Sequence, residues 1–171
     1  LTMKINGSDC VRGGNSQKDI AEVLRNIPGF DLVEVSCGIS GQAIATSPLK
    51  RMPKNLPADK AAVLDGFYKS LKENQLFKPM FNREYARIIK AANPNLNIAS
   101  VGGYRKLSEM NDVIASGDAD FVSLGRPFIR QPQLVKDLAN GAKRVDCVNC
   151  SMCIAFLNDF PPIRCYMNEL H

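Results

Sequence analysis

The chain has 171 residues, 45% apolar and 23% charged, an ordinary globular composition for one domain able to bury roughly 70% of its unfolded surface. Its net charge of +5 is scattered apart from Lys50, Arg51 and Lys54, which excludes the basic stripe of a nucleic-acid binder and suits a small anionic ligand. No run approaches the ~20 apolar residues of a membrane helix and no secretion signal is present, so the sequence reads as a cytoplasmic protein.

Taken in order, the chain alternates short β-rich runs with segments of helical period, the pattern of βα units on a parallel sheet. Thr2 to Ile5 reads as a strand. A helix follows near Ser16 to Asn26, where Ser16 can cap the start and Ile20, Val23, Leu24 and Ile27 recur at helical spacing until Pro28-Gly29 ends it. Phe30 to Val35 is the second strand. A long excursion from Cys37 to about Asn82 follows, carrying a helix around Ala58 to Leu71 with an Ala61, Val63, Leu64, Phe67, Leu71 stripe.

A helix from about Asn82 to Ala92 then leads into the strand Asn97 to Val101, closed by Gly102-Gly103. After a helix near Leu107 to Ser116 comes the strand Ala119 to Leu124, closed by Gly125-Arg126, and a last helix over about Pro132 to Asn140 that Gly141 terminates. Residues 1–145 thus form the α/β part, and 146–171 form a cysteine-rich tail. Four βα units make half of a (β/α)₈ barrel, which takes about 250 residues in full. The rival architecture is an open doubly wound sheet, which this length satisfies unaided.

Two consecutive strands end in glycine-bearing turns, Val101-Gly102-Gly103-Tyr104-Arg105 and Leu124-Gly125-Arg126-Pro127-Phe128. Glycine there lets backbone N–H groups approach an anion, and Arg126 can add a bidentate contact. Either turn alone reads as a tight βα connection; two in adjacent units point to a phosphate seat, the recurrent use of the last loops of such a barrel.

The run from Ser100 to Arg105, followed by Ala115-Ser-Gly-Asp-Ala-Asp-Phe-Val-Ser-Leu-Gly-Arg-Pro-Phe-Ile129, resembles the last two βα units of the old yellow enzyme family, the NAD(P)H:flavin oxidoreductases. Met3-Lys4-Ile5-Asn6-Gly-Ser-Asp9 with Gly13-Gly14 is similar to that family's fifth strand and loop, and Asp31 to Gly38 to its sixth. The resemblance implies a TIM barrel of which this chain is the C-terminal half, strands 5 to 8, with FMN as cofactor. It implies that Gly102, Gly103, Gly125 and Arg126 hold the FMN phosphate and that Phe128 lies near the isoalloxazine edge. Lys4 falls where the family places a basic side chain, commonly Arg, beside the flavin N1/C2 carbonyl, and a cation there stabilises negative charge on reduced flavin. Outside this context it reads as a solvated lysine.

Of six cysteines, Cys10 and Cys37 lie in the α/β part, while Cys147, Cys150, Cys153 and Cys165 crowd the tail. The four tail thiols suit a [4Fe-4S] cluster or tetrahedral zinc; two disulfides are the alternative that a reducing compartment disfavours. The branch of the family that includes dienoyl-CoA reductase and trimethylamine dehydrogenase carries a similar set, with three residues between the second and third cysteines where this chain has two.

The family's substrate-activating pair follows its fourth strand and so precedes Leu1; no catalytic residue is named within the chain. The single histidine, His171, is terminal, and Tyr104 and Tyr68 read as packing or surface rather than proton donors. The expected activity is hydride transfer from NAD(P)H through flavin to an activated alkene or similar small-molecule acceptor. A half barrel alone is expected to be inactive, to hold flavin weakly, to need its N-terminal half as partner and to self-associate through open strand edges. Two rivals stand beside this reading: a barrel lyase or isomerase acting on a phosphorylated substrate, and a non-catalytic metal-binding module.

Overall fold

A computed structural model describes residues 1–38, 57–70, 77–155 and 163–168. The elements are β1 (Thr2–Asn6), α1 (Gln17–Asn26), β2 (Leu32–Ser36), α2 (Ala58–Ser70), α3 (Arg83–Ala92), β3 (Asn97–Val101), α4 (Leu107–Ala115), β4 (Phe121–Ser123), α5 (Arg126–Arg130), α6 (Leu134–Ala139) and α7 (Met152–Ala155), with a 3₁₀ turn at Tyr166–Asn168. By its internal contacts the chain divides into two compact units, Leu1–Ile44 with Lys78–Leu124, and Ala45–Phe77 with Gly125–His171. Leu71, at the end of the expected α2 stripe, lies outside the described residues, as does His171.

The first unit holds the whole sheet. Its four strands are parallel and stand in chain order, β1-β2-β3-β4, with Met3 beside Val33 and Val33 beside Ile98. Each connection moves to the next strand without the reversal of order that defines a doubly wound sheet. Residue alternation along each strand decides which face is covered. Val33, Val35 and Ile98 are fully buried with Met3 and Ile5 packed beside them, under Ile20, Ala21 and Leu24 of α1 and Ala86 and Ile89 of α3. The side chain of Asn93 fastens the two helices, donating to Ala21 O at 3.1 Å and to Ile89 O at 3.0 Å.

Ser16 caps α1 as expected: its hydroxyl accepts from Asp19 N, and the Asp19 carboxylate takes the Ser16 N–H at 2.8 Å. The expected stripe splits, however. Ile20 and Leu24 are buried, but Val23 and Ile27 are 42% and 49% exposed on the flank of the helix. The strand expected over Ala119 to Leu124 is shorter, because the Asp118 and Ala119 amides both turn back to Val113 O and close α4. In the second unit α2 packs on α7, and the interior is formed by Leu134, Val145 and Met152.

Candidate functional site

In a parallel sheet the strand ends that share one edge gather the loops that bind ligands. β3 leaves that edge into Gly102 and Gly103, with φ of +127° and +79°, values that only glycine adopts without strain. The missing Cβ is put to use by the protein itself. A side chain on Gly102 would run into the Phe81 ring, and one on Gly103 would meet Lys78 O and Met80 N at 2.7 Å. Asn82, fully buried, fixes this approach by donating from Nδ2 to Val101 O, and its Oδ1 has no partner among the described residues.

This asparagine was not legible as a site residue. Its place before α3 suggests a cap, but its side chain makes no cap bond and instead holds the end of β3. Tyr104 is fully buried with Oη donating to Ser100 Oγ at 2.7 Å, and burial raises its hydroxyl pKa. It is core, not a proton donor to a ligand. The Tyr68 side chain lies outside the described residues.

Lys4 and Glu34 are register partners on the sheet face turned away from α1 and α3. Lys4 Nζ donates to Glu34 Oε1 at 2.5 Å, and the other carboxylate oxygen accepts from Ser123 Oγ across β3. Burial works against the Glu34 carboxylate, but the Lys4 and Ser123 hydrogen bonds outweigh it and hold the pKa below the usual value. The expected flavin-side cation is therefore positioned by a carboxylate that itself spans to the far strand.

Gly125 opens the second unit and precedes α5, where Pro127 sits in the first turn, a position that needs no N–H. Arg126 is half-buried in this unit. Its Nη1 donates to Ser151 Oγ at 2.8 Å, and its guanidinium lines a cavity of about 40 Å³ together with Cys147, Cys150, Cys153 and Cys165. Burial lowers the Arg126 pKa, against the opposing effect of the Cys147, Cys153 and Cys150 sulfurs. Burial raises the Cys150 thiol and pushes Cys153 up to about 11, although Arg126 pulls the latter down. Arg130 Nη1 lies 3.8 Å from Cys165 Sγ. Asn149 and Ser151 both take left-handed backbone, φ 58° and 57°, which turns the chain around the three closely spaced cysteines. Phe128, on α5, is 38% exposed.

Arg126 and the four tail cysteines, which the sequence offered for different roles, line the same cavity. Among the described residues, no group of three or more Cys, His, Asp or Glu is arranged to hold a metal ion. Nor is any helix there long and apolar enough to cross a membrane.

No family model matches the chain. A stretch of 72 residues, 40% of the chain, is 36% identical to the NADH-dependent flavin oxidoreductase iliE of Neonectria sp. (strain DH2). The chain resembles a flavin oxidoreductase. The family likeness read from the strand-end motifs is therefore borne out, and the relationship is to an enzyme that carries out oxidation and reduction. The matched stretch spans only 9% of that relative's length. Among solved structures, 2-naphthoyl-CoA reductase in complex with 2-naphthoyl-CoA matches with a TM-score of 0.58 at 21% identity, over 90% of this chain and 20% of that one. That likeness is one of fold.

Proposed function

We propose that the chain forms the FMN-phosphate end of a flavin-dependent oxidoreductase, its four strands corresponding to strands 5 to 8 of a (β/α)₈ barrel. The observation that carries this reading is the match to an NADH-dependent flavin oxidoreductase. It is supported by the consecutive parallel strand order and by the glycine turn leaving β3 at the ligand-binding edge.

On this reading Gly102 and Gly103 of the first unit and Gly125 and Arg126 of the second are the residues that would hold the flavin phosphate. Gly102, Gly103 and Gly125 would offer backbone amides, and Arg126 a counter-charge. Lys4, oriented by Glu34, places a cation for the polar edge of the ring system, and half-exposed Phe128 offers an apolar edge. When bound, FMN supplies hydride transfer from NADH or NADPH to an activated alkene or similar electrophile. Among the described residues no group of three or more Cys, His, Asp or Glu is arranged to hold a metal ion, and the proposal is built without an iron-sulfur cluster or zinc. On this reading the protein would work in the cytoplasm with a complementary barrel half as partner.

The test is titration of the purified protein with FMN and with riboflavin, read by quenching of flavin fluorescence. FMN is expected to bind weakly but more tightly than riboflavin, and inorganic phosphate should compete. Loss of one charge-assisted contact in Arg126→Ala should reduce the FMN preference about tenfold. Equal response to FMN and riboflavin, or none to either, would overturn the reading.

A further inference from the structure

The loops that follow β1 and β2 bring together three groups that the flavin reading does not use. Asn6 and Ser36 are the last register partners of the two strands. Beyond them the chains stay tied by Gly7 N donating to Ser36 O at 2.8 Å and Gly38 N donating to Ser8 O at 2.9 Å. Cys10 and Cys37 therefore flank a backbone clamp. Cys10 is exposed and Cys37 half-buried, and neither is in a disulfide. Cys10 takes left-handed backbone, φ 57°, with its N–H donating to Ser8 Oγ at 3.1 Å, a turn that brings its sulfur to 3.5 Å from Tyr85 Oη on α3. The three groups feel one another: burial first, and then the neighbouring Cys10 sulfur, push the Cys37 thiol up to about 12, while the Cys10 contact raises the Tyr85 hydroxyl.

We infer that Cys10 and Cys37 form a dithiol site that small-molecule disulfides oxidise to a reversible cross-link between the loops after β1 and β2. The order of events follows from exposure. The thiolate is the nucleophile, and the accessible sulfur is Cys10. Its thiolate attacks one sulfur of a disulfide RSSR, forming a Cys10–SR bond and releasing RS⁻. Cys37, shielded and held protonated, then gives its proton to solvent and attacks the Cys10 sulfur, expelling the second RS⁻. Two protein thiols lose two electrons and two protons, and RSSR becomes two RSH. The cross-link fastens two loops at the sheet edge from which the Gly102-Gly103 turn also departs. Tyr85, on α3, touches the Cys10 sulfur through its hydroxyl and lends no electrons to the exchange.

The protein is incubated with oxidised glutathione, its remaining thiols are alkylated, and it is digested with trypsin without reduction. Cleavage after Lys4, Arg12, Arg25 and Lys50 isolates Cys10 in residues 5–12 and Cys37 in residues 26–50, away from the tail cysteines. The expected result is one joined species of these two peptides, lighter than their sum by two hydrogens and separated by dithiothreitol. In Cys37→Ser, Cys10 should instead stop at the glutathione mixed disulfide. In concentrated urea the selectivity for this pair should disappear, since it comes from the fold. Wild-type Cys10 left as a glutathione adduct beside an alkylated Cys37, both thiols left unreacted, or either one joined to a tail cysteine would each overturn the inference.

Discussion

The two faces of the sheet were made by different rules. One face presents Met3, Ile5, Val33, Val35 and Ile98 to α1 and α3; the other presents Lys4, Glu34 and Ser123 beside buried Ala99 and Phe121, the last 52% exposed. A parallel sheet in an open α/β protein is covered on both sides and reads as nearly continuous apolar strands. Here one strand carries both instructions: in β2, Val33 and Val35 are fully buried, while Glu34 between them ties β1 to β4. The apolar face therefore specifies the fold, and the polar face is free to carry chemistry.

The largest effect expected from this division is on the covered face. Ile98→Ala removes a fully buried side chain from the centre of the core and should cost about 2–5 kcal/mol in urea unfolding. Phe121→Ala, on the next strand but the open face, should cost well under half of that despite removing a larger side chain. Comparable losses would mean that the open face is packed after all.

A smaller effect separates two glycines of the same backbone class. Gly103 and Gly141 both have positive φ, +79° and +104°, but a Cβ at Gly103 meets backbone atoms at 2.7 Å while one at Gly141 meets nothing within 4 Å. Gly141→Ala should carry only the conformational cost, about 1–2 kcal/mol. Gly103→Ala adds a backbone displacement and should exceed it in the same unfolding assay. It should also weaken any phosphate contact at that turn, a loss that Gly141→Ala should not produce.

The difference between the two faces also explains what was readable from sequence. Periodicity reports burial, so Asn97–Val101 was legible to the residue and α1 within one residue, Ser16 serving as its cap. It overstated α1, since Val23 and Ile27 share the helical spacing of Ile20 and Leu24 but stay about half exposed. It missed α5, where Arg126-Pro127 reads as a loop although proline fits a first turn. The flavin likeness was carried by short ordered motifs at strand ends. The Arg126–Ser151 bond, the Asn82–Val101 bond and the Cys10–Cys37–Tyr85 cluster join residues 19 to 75 positions apart, and local pattern holds no information about them.

The finest prediction concerns Glu34. Its carboxylate is held below the ordinary value of about 4.3 by Lys4 and Ser123 in the folded state, and that restraint is absent in the unfolded chain. A depressed folded pKa stabilises the protein fully above the unfolded value, and the contribution disappears as pH falls through the folded one. Half exposure of the Lys4 side chain keeps the pair's worth to about 1 kcal/mol or less. Other carboxylates, Asp120 with Lys90 among them, titrate in the same window, so total stability alone does not isolate this one. The informative quantity is the difference between wild type and Glu34→Gln, measured by urea midpoint from pH 7 down to pH 3. It should be present at pH 7 and shrink through the acid range, whereas a difference independent of pH would mean that the Lys4–Glu34–Ser123 chain contributes by packing alone.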